Sequence, residues 1–411
     1  YLTNTVPVLP FRAAGRPEIH FALERLIDMG AGKIGMDRQE LRLKNLISQD
    51  AMPFTTAMGL TYDVGGYPEA LTGVAEIMDW QSFAKRREQS KADGKLRGIS
   101  IVPFVETPVG APFEMGRVEI IADGQTTIFA GTQNHGQGHE TTYPQVLSEL
   151  LGIPYENISM AWGDSAKLAR GGGTHSDRSM RMMGTVLYQI SREIIELSKP
   201  VAAHLLQADE SAIEFIDGKF RVEASGQETD ILTVASAYAK FHGSSDQLTS
   251  EYFQEGRIKT YPYGASATEV EIDPDTGEMK ICKYAIVDDC GQAVNPMIVH
   301  GQTHGGIAMG AGQAMGECAF FDLNSGQLLT GSFMDYMMPR ADQFPMFDIG
   351  TMEVPSDTSP LRIKAGGEAG TVPALAVIGN AVMDALSPYG IEHFDMPYTA
   401  ARIWAEINKA G

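Results

Sequence analysis

Apolar residues recur at helical spacing from Pro17 onward, at Ile19, Phe21, Ala22, Leu23, Leu26 and Ile27. This period predicts a helix with Pro17 in its first turn. After a glycine-containing break the period resumes over residues 38–46, so residues 17–48 read as one helix or two. Residues 68–79 read as another. The stretch 85–97 is charged and poor in apolar positions, and it reads as a linker with a domain boundary beside it.

From residue 98 the period shortens. Residues 98–104, 116–122 and 126–130 are short β-rich runs, with Asp123-Gly124 as a hairpin-type turn. Residues 142–151 predict a helix stopped by Gly152, and residues 158–162 a strand. Residues 180–207 predict a long helix that Pro200 should kink or divide. Strands are expected at 263–272 and 279–288 around a turn at 273–277, and helices at 300–315, 373–386 and 400–409. Helices and strands fall in blocks, which favours an α+β fold over a doubly wound parallel sheet.

Composition narrows the function classes. With 411 residues, two or three domains are the expectation. No apolar run approaches the ~20 residues of a membrane span. The 32 Lys+Arg against 52 Asp+Glu give a net charge of −20, which opposes binding to nucleic-acid phosphates. Three cysteines make neither a disulfide framework nor a Cys-x-x-Cys motif, so a reducing cytoplasm is the natural setting. The chain opens at Tyr1, close before its first functional-looking loop, and reads as the C-terminal part of something longer or as a processed subunit.

The 44 glycines gather in loops that carry isolated polar side chains. Three such loops are Pro-Phe-Arg-Ala-Ala-Gly-Arg (10–16), Gly-Thr-Gln-Asn-His-Gly-Gln-Gly-His (131–139) and Lys-Ala-Gly-Gly-Glu-Ala-Gly-Thr (364–371). Glycine lets backbone approach a ligand and offer its N–H groups, and several such loops suit a large, anionic, polar cofactor. His135 and His139 invite a zinc reading, but Gly136 and Gly138 between them disfavour one helix carrying both. Gln137 is the alternative ligand group, since an amide both donates and accepts. The loop 171–179 runs into a helix and offers Thr174, Ser176 and Asp177 beside free N–H groups, with Ser176 or Asp177 as the expected N-cap. Glu368, flanked by small residues, could serve as a partly desolvated general base. Arg12 and Gln302 are further polar groups set among small residues.

Taken in order, these segments resemble the molybdopterin-binding large subunit of the xanthine dehydrogenase, aldehyde oxidoreductase and carbon monoxide dehydrogenase family. The resemblance runs over essentially the whole chain, including Ile-Glu-His-Phe-Asp-Met-Pro (391–397) with Arg402 and Trp404 beyond. It implies the multi-domain molybdenum-cofactor fold of that family's C-terminal half. Residues 1–84 would end a first cofactor-binding domain and 98–411 would form a second, divisible into 98–255 and 256–411.

The same resemblance implies site roles. Glu368 would be the catalytic carboxylate, and Phe11, Arg12 and Ala13 would form the loop passing over the metal. His135, Gly136, Gln137, Gly138, Thr174, Ser176, Asp177, Gln302 and Gly367 would contact a molybdopterin, in its cytosine dinucleotide form, whose dithiolene rather than the protein holds molybdenum. Asp177 departs from the Ser frequent at its position. Ala13 stands where copper-containing members carry Cys, and a methyl group replaces the soft thiolate that Cu(I) prefers. The implied activity is hydroxylation of an aldehyde or N-heteroaromatic compound, with electrons leaving to Fe–S and FAD subunits. An upstream half of the large subunit would complete the site. The competing expectation is a non-catalytic half-subunit that lends cofactor contacts to a partner chain.

Overall fold

The computed structural model describes residue 5 and residues 9–410. Helix α1 (Arg16–Ile34) starts at the Pro17 signal, and α2 (Arg38–Asn45) is capped by Asp37, whose carboxylate accepts from the N–H groups of Gln39 and Glu40. A small ribbon of β1 (Phe54–Thr55) and β2 (Thr61–Tyr62) leads to α3 (Tyr67–Ile77) and α4 (Phe83–Ala92). Then come β3 (Leu96–Val105), β4 (Phe113–Ile120), β5 (Thr126–Ala130), α5 (His139–Leu151), β6 (Ile158–Trp162) and α6 (Ser179–Leu206). A three-stranded meander of β7 (Ile213–Ile216), β8 (Lys219–Val222) and β9 (Gln227–Asp230) precedes α7 (Ile231–His242) and β10 (Leu248–Glu255). The chain ends through β11 (Tyr263–Ile272), β12 (Met279–Asp289), α8 (Pro296–Met315), β13 (Asp348–Met352), α9 (Ala374–Leu386) and α10 (Ala400–Ala410).

Two four-stranded sheets carry the α+β fold. The first has the order β10-β4-β5-β6 and the second β13-β12-β11-β3. On the first, alternation along β4 turns Val118 and Ile120 onto Leu147, Met183 and Leu187 of α5 and α6. In the second, β3 sends Ile99 and Ile101 to one face, where Leu71 and Val74 of α3 pack. Val102 and Phe104 go to the other face, against Val377, Ile378 and Ala381 of α9. Both faces of this sheet are therefore buried, which explains why β11 is buried along almost its whole length.

Several expectations are revised by the fold. The segment expected as a linker at 85–97 is mostly α4, followed by the start of β3. Its sequence is poor in apolar residues because ion pairs hold it: Arg86 reaches Glu269 at 2.5 Å and Arg87 pairs with Asp384. Pro200 lies inside an α6 that continues through it. Helix α1 is present, but its apolar residues Ile19, Leu23 and Leu26 are exposed while Glu24, Arg25 and Asp28 are buried. Those charges face partners: Arg42 Nη2 lies 2.5 Å from Glu24 and 2.7 Å from Asp28, and Arg25 donates to Asn380 Oδ1 at 2.7 Å.

Candidate functional site

The loops leaving β3, β5 and β6 meet the loop entering α1, the body of α8 and the loop entering α9. Arg12 is the joint. Its Nε donates to Gly367 O at 2.6 Å, and its Nη2 donates to Gln302 O at 3.0 Å and Gln302 Oε1 at 3.2 Å. One guanidinium thus ties the first and third glycine loops to α8, a use for which its planar fork of donors is suited.

The loop bearing Glu368 is fastened at both ends. Buried Lys364 pairs with buried Asp289 at 2.8 Å and lies over the Tyr263 ring. Thr371 donates to Gly306 O at 3.0 Å, and its N–H donates to Glu368 O at 2.9 Å. Close backbone approach fixes the rest. A Cβ on Gly370 would stand 2.9 Å from Ile307 N and 3.2 Å from Gly306 C, both on α8. Gly370→Val is therefore expected to cost about 1–3 kcal/mol, read by urea unfolding. Gly301→Ala, where no atom lies within 4 Å of the added Cβ, should instead gain about 0.5–1 kcal/mol as a helix-interior replacement.

The second loop joins through the loop 171–178. Thr174 Oγ1 donates to Gln133 O at 2.6 Å, and a Cβ on Gly138 would stand 2.8 Å from Ile298 Cδ1 of α8. The Gln137 side chain does not reach across. It closes its own loop, accepting from His135 N at 2.8 Å and donating to Gln133 O at 3.1 Å. What this loop leaves available is backbone, since the N–H groups of Gly136 and Gln137 find no acceptor among the described residues. His135 is exposed, whereas buried His139 opens α5 and stacks on Tyr143 with centroids 4.7 Å apart. Burial lowers the His139 pKa to about 4. Among the described residues the two histidines belong to no group of three metal-ligating side chains, so the zinc reading gains no support.

Ser176 and Asp177 do not cap α6, contrary to expectation; Arg178 is the N-cap, without a side-chain cap bond. Both have left-handed φ, 52° and 54°, a conformation that costs an L residue about 1–2 kcal/mol. The bend turns Asp177 into the site. Its Oδ1 fills the space at Gly367, where a Cβ would stand 2.6 Å away, and the Gly367 N–H faces its carboxylate. Phe11 is exposed and Ala13 is buried with φ 68°.

At the centre are three carboxylates, Glu106, Asp177 and Glu368, with oxygens within 4.8 Å of one another. The Ala13 N–H faces the Glu368 carboxylate, and Arg16 Nη1 lies 3.8 Å from its Oε2. Arg16 Nε lies 2.8 Å from Glu106 Oε1. Burial raises the Glu368 pKa above the usual carboxylate range, opposed by Arg16, the Ala13 N–H and Arg12. Asp177 is also raised, by burial and then by the Glu368 charge. Sequence reasoning missed Glu106 and Arg16. The one signal was an acid closing the apolar run of β3, followed by Thr107-Pro108.

Comparison with known proteins settles the family. Residues 73–345 match a molybdopterin cofactor-binding domain, and residues 1–46 match another. The chain belongs to the molybdopterin cofactor-binding domain family. It is 33% identical to the carbon monoxide dehydrogenase large chain of Hydrogenophaga pseudoflava, over 99% of this chain and 53% of that one. To the nicotine 6-hydroxylase large subunit of Paenarthrobacter nicotinovorans it is 33% identical, over 98% of this chain and 51% of the relative. Among solved structures, quinoline 2-oxidoreductase from Pseudomonas putida 86 superposes with a TM-score of 0.89 at 29% identity, over 97% of this chain and 53% of that one. The chain spans about half the length of these relatives, and its family includes xanthine dehydrogenase and aldehyde oxidoreductase subunits.

The residues present fit one side of a molybdopterin. The acceptor-free N–H groups at 136–137 and the guanidinium of Arg12 suit an anionic, heteroatom-rich group. Glu368 Oε2 is buried and without a hydrogen-bond donor among the described residues.

Proposed function

We propose that this chain is the catalytic, C-terminal half of a molybdenum hydroxylase large subunit acting on an aldehyde or N-heteroaromatic compound. The observation that carries this reading is Glu368, whose loop Arg12 fastens at Gly367 O and whose Oε2 lies 3.8 Å from Arg16, where the glycine loops converge. When bound, the molybdenum cofactor supplies a two-electron oxidising centre and the water-derived oxygen that enters the substrate. Glu368 Oε2 would serve as the proton acceptor beside that centre, and its raised pKa suits the task. Arg12 is the second catalytic group. It keeps the Glu368 loop against α8 and presents positive charge to the reacting centre.

Phe11, Arg12, Ala13, His135, Gly136, Gln137, Gly138, Thr174, Ser176, Asp177, Gln302, Gly367 and Glu368 form the proposed cofactor wall. Backbone, rather than the Gln137 amide, is the contribution of 136–137. The cytosine dinucleotide form of the cofactor, separate Fe–S and FAD subunits for electron exit and a cytoplasmic setting complete the reading. Three free cysteines and the relatives' designation as large subunits support it. The reading also divides the chain into 1–84 and 98–411, with 98–255 and 256–411 as subdivisions; the family matches, at 1–46 and 73–345, likewise separate a short N-terminal part from a longer one but put the boundary between residues 46 and 73. Buried Ala13 argues against a Mo–Cu centre, since no thiolate follows Arg12.

The second reading, a half-subunit that only lends contacts, is favoured by the length of the relatives. Metal analysis separates the two. Molybdenum that co-purifies stoichiometrically with this chain alone supports a self-sufficient catalytic unit. Molybdenum found only after co-expression with an upstream half supports the shared site, and zinc without molybdenum in both preparations overturns both.

A further inference from the structure

Glu106 has no place in the mechanism above, yet it is the most deeply buried acid of the central three, with no exposed side-chain surface. Neither of its oxygens has a hydrogen-bond donor among the described residues. Arg16 Nε lies 2.8 Å from Oε1 but off the axis a hydrogen bond requires. The same guanidinium also faces Glu368, at 3.8 Å. Three carboxylates within 4.8 Å of one another therefore share the nearby cations Arg12 and Arg16, with Arg181 farther out beside Asp177. Crowded like charges in a buried setting cannot all ionise near neutral pH, because each added charge loses hydration and meets its neighbours' repulsion.

We propose that Glu106 is a positioning residue for Glu368, retaining the proton that the three carboxyl groups cannot all release and so leaving Glu368 as the ionised member that Arg16 compensates. The proposal rests on the reading of Glu368 as the base. Neutral Glu106 makes a weak claim on Arg16. Ionised Glu106, whose Oε1 already lies 2.8 Å from Arg16 Nε, would compete with Glu368 for that cation and set a like charge beside it. The groups facing Glu106 agree with this assignment: Asp177 and Glu368 raise its pKa, while Arg16 and the Thr107 N–H lower it. Burial is the largest cause, and the result is about 9. Asp177 adds a third acid to the pair Glu106 and Glu368, so this site has one more carboxyl group to accommodate.

The test uses the purified full chain, so that its first readouts need no cofactor. Infrared spectra from pH 6 to 10 should show a protonated-carboxyl C=O component that is lost only toward pH 9 in the wild type; Glu106→Gln should lack that component and keep only those of acids that titrate lower, such as Asp177. Stability follows the same group. Its folded pKa lies above the unfolded value of 4.5, so the unfolded chain binds fewer protons between those limits. Stability is then fully present below pH 4.5 and falls as pH rises toward 9. Glu106→Gln should flatten that fall in melting temperature. Asp177→Ser, a second variant should the first not fold, should shift the band's titration to lower pH.

In the assembled enzyme, Glu106→Gln should keep its turnover at neutral pH and lose the alkaline limb. A component lost only toward pH 9 that persists in Glu106→Gln, or melting curves with the same pH dependence in both proteins, overturns the proposal while leaving Glu368 as base untouched. Full activity of Glu368→Gln would instead remove the base and leave the infrared result standing.

Discussion

Glu368→Gln in the assembled enzyme is expected to lower kcat roughly 100- to 10,000-fold with molybdenum content unchanged. The amide keeps the volume of the carboxylate and leaves an oxygen to face the Ala13 N–H. Arg12 makes its bonds to Gly367 O and to Gln302, not to Glu368, so the junction of the loops stays closed. What disappears is an atom that can take up a proton. Because burial raises the Glu368 pKa, wild-type kcat should climb with pH through a limb lying above the usual carboxylate range. The residual activity of the variant should lack that limb. The measurement is kcat across pH beside molybdenum per chain. Normal turnover in the variant would remove Glu368 from the chemistry, and loss of metal with activity would make it a structural residue instead.

Much of the fold was legible because apolar periodicity reports burial on one face of an element. Strands β5, β6 and β11 have the bounds that the alternating runs predict. Where burial is sparse the signal fails. Residues 208–255 gave no prediction, and β9, Gln-Glu-Thr-Asp, has no apolar position at all; it is a strand because β8 pairs with it. Helix α4 failed for a related reason. Phe83 and Ser90 are its buried residues, and its remaining anchors are arginines whose partners lie far along the chain. On α1 the period was right and the face was wrong, since Arg42 and Asn380 recruit its charged side inward.

The site divides the same way. Arg12, Gln302 and Glu368 stood out because small neighbours leave a polar side chain room to work, and the structure does bring these three together. Glu106 and Arg16 did not stand out. A charged residue inside an ordinary stretch reads as surface until the tertiary fold shows that nothing solvates it. Gln137 was singled out for its side chain, whereas its loop closure leaves the backbone as the available group.

The same logic marks Arg178 as the residue whose loss should cost most stability. Arg178 and Glu114 are both without exposed side-chain surface and lie 2.6 Å apart. Arg178 also donates to the carbonyls of Ala111, Phe113 and Gly173, while Glu114 Oε1 accepts from the N–H of Gly172 and Met115. The pair therefore joins β4 to the glycine loop that carries Thr174 and Asp177. Arg178→Met removes the cation but leaves the buried carboxylate, and breaking such a pair costs about 3–5 kcal/mol. Glu114→Gln/Arg178→Met together should cost less than the sum of the single changes, because the amide no longer buries an unpaired charge. Urea unfolding gives the energies. Hydrogen exchange at residues 171–177 gives the location, with faster exchange there than in β11. A single-variant loss below about 1 kcal/mol, the range of an exposed ion pair, would mean that the loop is held by its backbone alone.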